Sequence, residues 1–195
     1  MKSVLISIRP KWCKKIASGE KTIEVRKTRP KMEPPFRCYI YCTLPSKAHQ
    51  VICGSFILND DELYRHPQDG IKYGDSIALM LRDDYTESNF LNGKVIGEFT
   101  CDELITFPAH SIAPACYAQF ACVAPDEIHR YLGNKDGYGW HISGLKIYDK
   151  PWELDWLRKP LECHRGNDRE NCVGCWDCEI KRPPQSWCYV AGRYA

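Results

Sequence analysis

Long apolar runs are missing from this sequence. No stretch approaches the length needed to cross a bilayer. The first residues, Met1-Lys2-Ser3-Val4-Leu5-Ile6, lack the apolar core and small-residue cleavage site of a secretory signal. The expectation is a cytoplasmic protein with no membrane partner. Internal repeats and low-complexity tracts are also missing, which sets aside repeat arrays and biased linkers. Any large excess of one charge is lacking too, since the formal net charge is only +2. What remains is ordinary for a globular chain: 44% hydrophobic and 27% charged residues over 195 positions. That length suits one domain with insertions.

The small net charge hides an uneven distribution. Residues 1–47 hold 12 Lys/Arg against 3 Asp/Glu, whereas residues 48–127 hold 4 against 13. A basic N-terminal quarter beside an acidic middle points to a steering patch, unless the two parts cover one another in the fold. Cysteine, by contrast, is abundant, with 12 residues. Without a secretion signal these do not read as disulfides. Cys38, Cys42, Cys53 and Cys101 lie in apolar, strand-like runs and are expected to be buried free thiols.

The pattern along the chain predicts many short strands with a few helices. Val4 to Ile8 is a β-branched run typical of a buried strand. Pro10 can open a helix over 11–18, and Gly19 can close it in a left-handed conformation. Residues 22–26 then alternate, which predicts a half-buried strand with Thr22, Glu24 and Arg26 on one side and Ile23 and Val25 on the other. Residues 28–35 form a basic, proline-rich loop before a strand over 36–43. Residues 44–93 are acidic and irregular and read as an insertion, with possible strands at 51–58 and 76–81. An alternating strand within 94–107, helical turns in 109–121, a helix over 125–132, a strand over 140–148, a helix over 151–158 and a last strand over 187–190 complete the reading. The expected fold class is α+β, a small and partly open mixed β-barrel with short helices at its rim.

The reversal at Gly19 carries the densest chemistry. It is followed at once by Lys21, Glu24 and Arg26. Alternation brings Glu24 and Arg26 to one face, where they either pair on an exposed strand or share a ligand. A guanidinium fork suits a phosphate or a base edge, and a desolvated lysine can act as a point charge, a base or a nucleophile.

The segment Ile16-Ala-Ser-Gly-Glu-Lys-Thr-Ile-Glu-Val-Arg26 resembles the signature of the ASCH domain, a PUA-like β-barrel family marked by Gly-x-Lys-x-x-x-x-Arg. Four further blocks, in order, are similar to its bacterial and phage members: Ser7-Ile-Arg-Pro-Lys-Trp12, Asn92-Gly-Lys-Val-Ile-Gly-Glu-Phe99, Gly139-Trp-His-Ile-Ser143 and Pro183-Pro-Gln-Ser-Trp-Cys-Tyr-Val190. The likeness does not reach 44–91 or 159–182. It implies one ASCH/PUA-like domain over 1–195, with an acidic insertion at 44–93 and a Cys-rich insertion at 159–182. It also implies a cleft near the motif that faces RNA, another nucleic acid or a modified nucleoside. Relatives include RNA-binding domains, amidohydrolases that deacetylate N4-acetylcytidine and a ribonuclease. In the amidohydrolases the motif lysine, here Lys21, is the proposed nucleophile. Their partner threonine is Glu24 in this chain, and their downstream glutamate has no counterpart that can be placed. Lys21 and Arg26 are thus the ligand-binding residues the resemblance transfers. Trp12, Trp140 and Trp187 are either stacking platforms or core residues. One of Trp140 and His141, which alternate, should face the cleft, and Ser186 is either a ligand donor or a turn residue.

A late cluster stands apart. Cys172-Val-Gly-Cys175-Trp-Asp-Cys178 contains two overlapping Cys-x-x-Cys steps, and Cys163, or His164 in its place, can complete a tetrahedron. The stretch has too few apolar residues to fold alone, so a structural zinc is expected. Two functions follow. The first is a binding module for RNA or a modified nucleoside around Lys21 and Arg26. The second is a hydrolase, of the amidohydrolase or ribonuclease kind, using Lys21 and Glu24. A protein partner docking on the acidic insertion is a third.

Overall fold

The computed structural model describes residues 2–43, 91–111, 113–160 and 178–191. Its strands form two sheets. The larger contains β1 (Lys2–Ile8), β3 (Phe36–Cys42), β4 (Val95–Cys101), β7 (Ser143–Trp152) and β8 (Trp187–Ala191), in the order β7-β4-β3-β1-β8. The smaller contains β2 (Ile23–Arg26), β6 (Gly137–His141) and β5 (Leu104–Phe107), in the order β2-β6-β5. Among the described residues four helices accompany them: α1 (Pro10–Ala17), α2 (Ala113–Cys116), α3 (Ala118–Ala121) and α4 (Pro125–Leu132). The α+β class is thus observed, but the described strands make two separate sheets and do not close into a barrel.

The continuous apolar character of β1 follows from its position. β1 is paired on both sides, in parallel with β3 and antiparallel with β8, and both of its faces are covered. Val4, Ile6 and Ile8 join Cys38, Ile40, Cys13, Ile16 and Trp140 in the main core, while Leu5 joins Tyr39, Tyr41, Val95, Tyr148, Leu157 and Ile180 on the opposite side. A third cluster places Val25 and Phe107 of the smaller sheet against Ala118, Ala121, Ile128 and Leu132 of α3 and α4. Cys38, Cys42 and Cys101 are core thiols, whereas Cys53 lies outside the described residues. Burial raises the Cys38 thiol and pushes Cys101 up to about 12.

Several boundaries differ from the sequence reading. The strand within 94–107 is two strands in different sheets, with Asp102 and Glu103 at the corner. Residues 140–148 likewise belong to β6 and β7. The helix expected over 151–158 is mostly strand end and a single 3-10 turn at Leu154–Trp156. Pro151 lies in β7, the outermost of the described strands of its sheet, a position at which proline is tolerated. The possible strands at 51–58 and 76–81, and nearly all of the acidic insertion, lie outside the described residues. Among the described residues no helix is long and apolar enough to cross a membrane.

Candidate functional site

The turn between α1 and β2 is built as its sequence requires. Pro10 occupies the first turn of α1, where a missing N–H is harmless, and Cys13 and Ile16 seat the helix on the core. Gly19 has φ +79°, which a side chain disfavours, and its N–H bonds the Ile16 carbonyl at 3.0 Å. The chain then enters β2 with Lys21 inward.

Lys21, Glu24 and Arg26 converge. Glu24 is shared: its Oε2 lies 3.2 Å from Lys21 Nζ and its Oε1 lies 3.1 Å from an Arg26 terminal nitrogen. Their side chains are only 2%, 6% and 12% exposed for Lys21, Glu24 and Arg26 respectively. The half-buried strand expected for 22–26 is therefore buried on both faces, because the charged side is satisfied by pairing instead of by water. Each cation is anchored again by backbone from a distant element. Lys21 Nζ donates to the Ala121 carbonyl at the end of α3 at 2.6 Å, and Arg26 donates to the Ser7 carbonyl of β1 at 2.6 Å. Lys21 Nζ also stands 5.2 Å from the centre of the half-buried Trp12 ring.

The cluster is incompletely matched. Two cations and one carboxylate leave a formal charge of +1 in a buried place. Among the described residues, Glu24 Oε2, despite its ionic neighbour, makes no well-directed hydrogen bond, and neither Arg26 Nε nor Trp140 Nε1 has a partner. These three atoms share one face. Glu24 and Arg26 are two residues apart on β2, and Glu24 stands directly opposite Trp140 on β6. Unpaired buried polar atoms are costly and rare, so their grouping here marks an unfilled hydrogen-bonding demand of two donors and one acceptor.

The other residues singled out from sequence fall in different places. Trp140 shares the face of Glu24 and Arg26 but is wholly buried, edge-to-face with Phe36 at 5.7 Å, so its ring is core and not a stacking platform. Trp187 is half-buried, 5.9 Å from Trp140, and its Nε1 donates to Thr28 Oγ1 at 3.0 Å. Ser186 adjoins the site through its backbone: its carbonyl accepts from the N–H of Ser7, whose own carbonyl holds Arg26. His141 is not part of the cluster. It pairs across the sheet with Ile23 and points away from the Glu24 face, with Nδ1 2.6 Å from Asp102 Oδ1. That contact, strongest among its causes, holds the Asp102 carboxyl below its ordinary range. The backbone anchors at Ser7 and Ala121 carry no side-chain signal and could not be read from sequence. Tyr138, opposite Arg26 on β6, was a missed neighbour that strand alternation could have found. Among the proposed zinc ligands only Cys178 is described. It is buried, and its carbonyl accepts from the Lys159 N–H at 2.8 Å. Cys163, His164, Cys172 and Cys175 lie outside the described residues.

No family model matches the sequence, and no curated protein matches it. Solved structures do. The crystal structure of ASCH from Zymomonas mobilis superposes with a TM-score of 0.54 at 17% identity, over 97% of this chain and 87% of that one. A variant of the same protein with a tyrosine changed to phenylalanine gives 0.55 at 17%, over 98% of this chain and 91% of that one. A variant with a serine changed to alanine gives 0.53 at 17%, over 97% and 88%. With its two sheets, short helices and buried turn motif, the chain has the fold of the ASCH domain.

Proposed function

We propose that this protein is a binding module for RNA or a modified nucleoside, with the ligand held around Lys21 and Arg26. The observation that carries this reading is the buried Lys21–Glu24–Arg26 cluster with its formal charge of +1 and three unmatched polar atoms on one face. A phosphate would bring acceptors for these donors together with negative charge, and a base edge would bring acceptors for the donors and a donor for Glu24, without charge. The basic sequence around the site, nine Lys/Arg against two acidic residues over 9–31, supplies long-range attraction. The test is a titration with labelled RNA and DNA oligonucleotides at several salt concentrations. Binding that weakens steeply with salt is expected, and no binding at micromolar protein overturns the reading.

A second reading is favoured by one distance. Glu24 lies 3.2 Å from Lys21 Nζ, close enough to accept a proton from it. The alternative is a hydrolase of the N4-acetylcytidine amidohydrolase or ribonuclease kind, with Lys21 as nucleophile or base. Incubation of N4-acetylcytidine, and separately of RNA, with the wild type and Lys21→Ala decides it, because equal turnover by the two excludes this chemistry.

The remaining proposals concern the chain outside this site. We take 1–195 as one ASCH/PUA-like domain with insertions at 44–93 and 159–182, the acidic one available to a protein partner. Cys163, Cys172, Cys175 and Cys178 are proposed to hold a structural zinc, with His164 as the alternative to Cys163. The Lys159 N–H to Cys178 carbonyl bond, beside the bridge between Arg158 and Glu179, brings Cys178 next to the segment that precedes Cys163 in sequence. Elemental analysis of protein purified without added metal should give about one zinc per chain, and its absence removes the proposal.

A further inference from the structure

We propose that the end of β2 carries a docking tract for single-stranded nucleic acid, made by Lys27 with Tyr131 and Arg29 with Tyr138. The inference rests on the reading of the Lys21–Arg26 site as nucleic-acid-facing and extends it outward. Arg26 is the last residue of β2 and stands opposite Tyr138. Arg29 returns over that Tyr138 ring, with its guanidinium carbon 6.0 Å from the ring centre. Lys27 lies over the Tyr131 ring of α4 at 5.0 Å. Two cation–ring pairs therefore flank the strand end, Arg29 with Tyr138 on the face of Arg26 and Lys27 with Tyr131 on the opposite face, which α4 covers.

The exposed cations of this segment can take a phosphate. Lys27 and Lys31 are exposed and have no carboxylate within ion-pair distance among the described residues. Arg29 meets Glu33 at 3.3 Å, but Glu33 is 76% exposed, so water weakens that pair and a phosphate can replace it. The loop bearing them is fixed to β8 at two points, by Trp187 Nε1 to Thr28 Oγ1 at 3.0 Å and by the Lys31 N–H to the Tyr189 hydroxyl at 2.7 Å. A loop held in this way loses little entropy when a ligand binds.

The rings select the partner. Tyr131 is 42% exposed, a large open area for an aromatic residue on a helix whose apolar side is already seated by Ile128 and Leu132. A ring with a cation at hand can stack a base and hold the adjoining phosphate, which is how sequence-tolerant single-strand binders work. Bases inside a duplex are already stacked on both faces and cannot use such a ring. The fit is therefore to a single strand that wraps around the end of β2, from Arg26 and Arg29 on one face to Lys27 and Tyr131 on the other.

The test uses the full chain, a fluorescein-labelled single-stranded RNA of about a dozen nucleotides, matching one binding-site length, the corresponding duplex, and cytidine monophosphate. The double variant Lys27→Ala/Tyr131→Ala changes only exposed side chains, and a thermal melt verifies that it folds. Expected is about a tenfold loss of single-strand affinity in the variant, with a log–log salt slope shallower by about 0.7 for the one cation removed. Duplex binding and mononucleotide binding should stay as in the wild type. Equal single-strand affinity in wild type and variant overturns the tract. If Arg26→Ala then still abolishes mononucleotide binding, the site reading survives without it. If the mononucleotide fails to bind while the single strand still depends on Lys27 and Tyr131, the site reading falls and the tract stands. A wild type that binds no single strand sinks both.

Discussion

Replacing Glu24 by alanine should strip the cluster of its only anion among the described residues. Lys21 and Arg26 would then face each other with no carboxylate between them, each left with one backbone carbonyl, that of Ala121 or of Ser7. Breaking a buried ion pair by removing one partner costs about 3–5 kcal/mol, because a charge is left uncompensated. The two carbonyl anchors are neutral and offset only part of that cost, so the lower end of the range is expected. In a domain of 150–250 residues each kcal/mol moves the melting temperature by about 2–4 °C, which predicts a fall of about 6–12 °C. Differential scanning calorimetry of wild type and Glu24→Ala measures it. The double variant Glu24→Ala/Arg26→Ala should lose less than the sum of the single losses, with a coupling of about 1–3 kcal/mol. A Glu24→Ala protein that melts within about 2 °C of wild type, or losses that simply add, would refute the buried cluster.

Three further outcomes follow from the packing. Gly97→Ala should cost about 2 kcal/mol or more in urea unfolding, since the new methyl would run into the Lys146 carbonyl oxygen and stand 3.1 Å from Ile147 Cα, both backbone atoms that cannot yield cheaply. The Asp102–His141 contact should make stability depend on pH. A carboxyl whose folded pKa lies below its unfolded value of about 3.9 binds fewer protons when folded, so its contribution is present above that value and fades as pH falls through the folded pKa. The gap between the urea midpoints of wild type and Asp102→Asn should therefore be larger at pH 6 than at pH 3, and an unchanged gap contradicts it. Finally, a thiol reagent applied to native protein at pH 8 should modify the exposed Cys116 well before the buried Cys13, Cys38 and Cys101, whose thiols burial raises. Mass spectrometry of the peptides reads the order, and early labelling of the core three would count against the packing.

Local signals proved readable where neighbours in sequence decide the structure. Pro10, the spacing of Cys13 and Ile16, and Gly19 together announced α1 and its end, and alternation put Glu24 and Arg26 on one face. What alternation cannot report is the cover on that face. An acid and a base on a strand look exposed until Lys21 folds onto the acid and the Ser7 carbonyl onto the base, in a place that distant elements cover. The same blindness affected Trp140 and His141. Their opposite facing was legible, but the charged-cluster face turned out to be packed by Phe36 and Trp187, which left the indole no room to stack a ligand. Pro151 misled for a related reason: it is a helix-start signal in sequence, yet it is accommodated equally well at a sheet edge, and edge positions are a property of topology. The resemblance of five ordered blocks to ASCH members anticipated a fold that overall identity, at 17% to the solved structures, does not make evident.

Under the proposed binding role, a ligand meets the unmatched donors beside Glu24. Both donors are directly observable, as the Arg26 Nε–H and the Trp140 indole N–H resonances in a nitrogen-15 correlation spectrum. Saturation with a nucleotide or a short single-stranded RNA should move both signals. Saturable binding that leaves both resonances where they were would place the ligand away from Arg26 and Trp140.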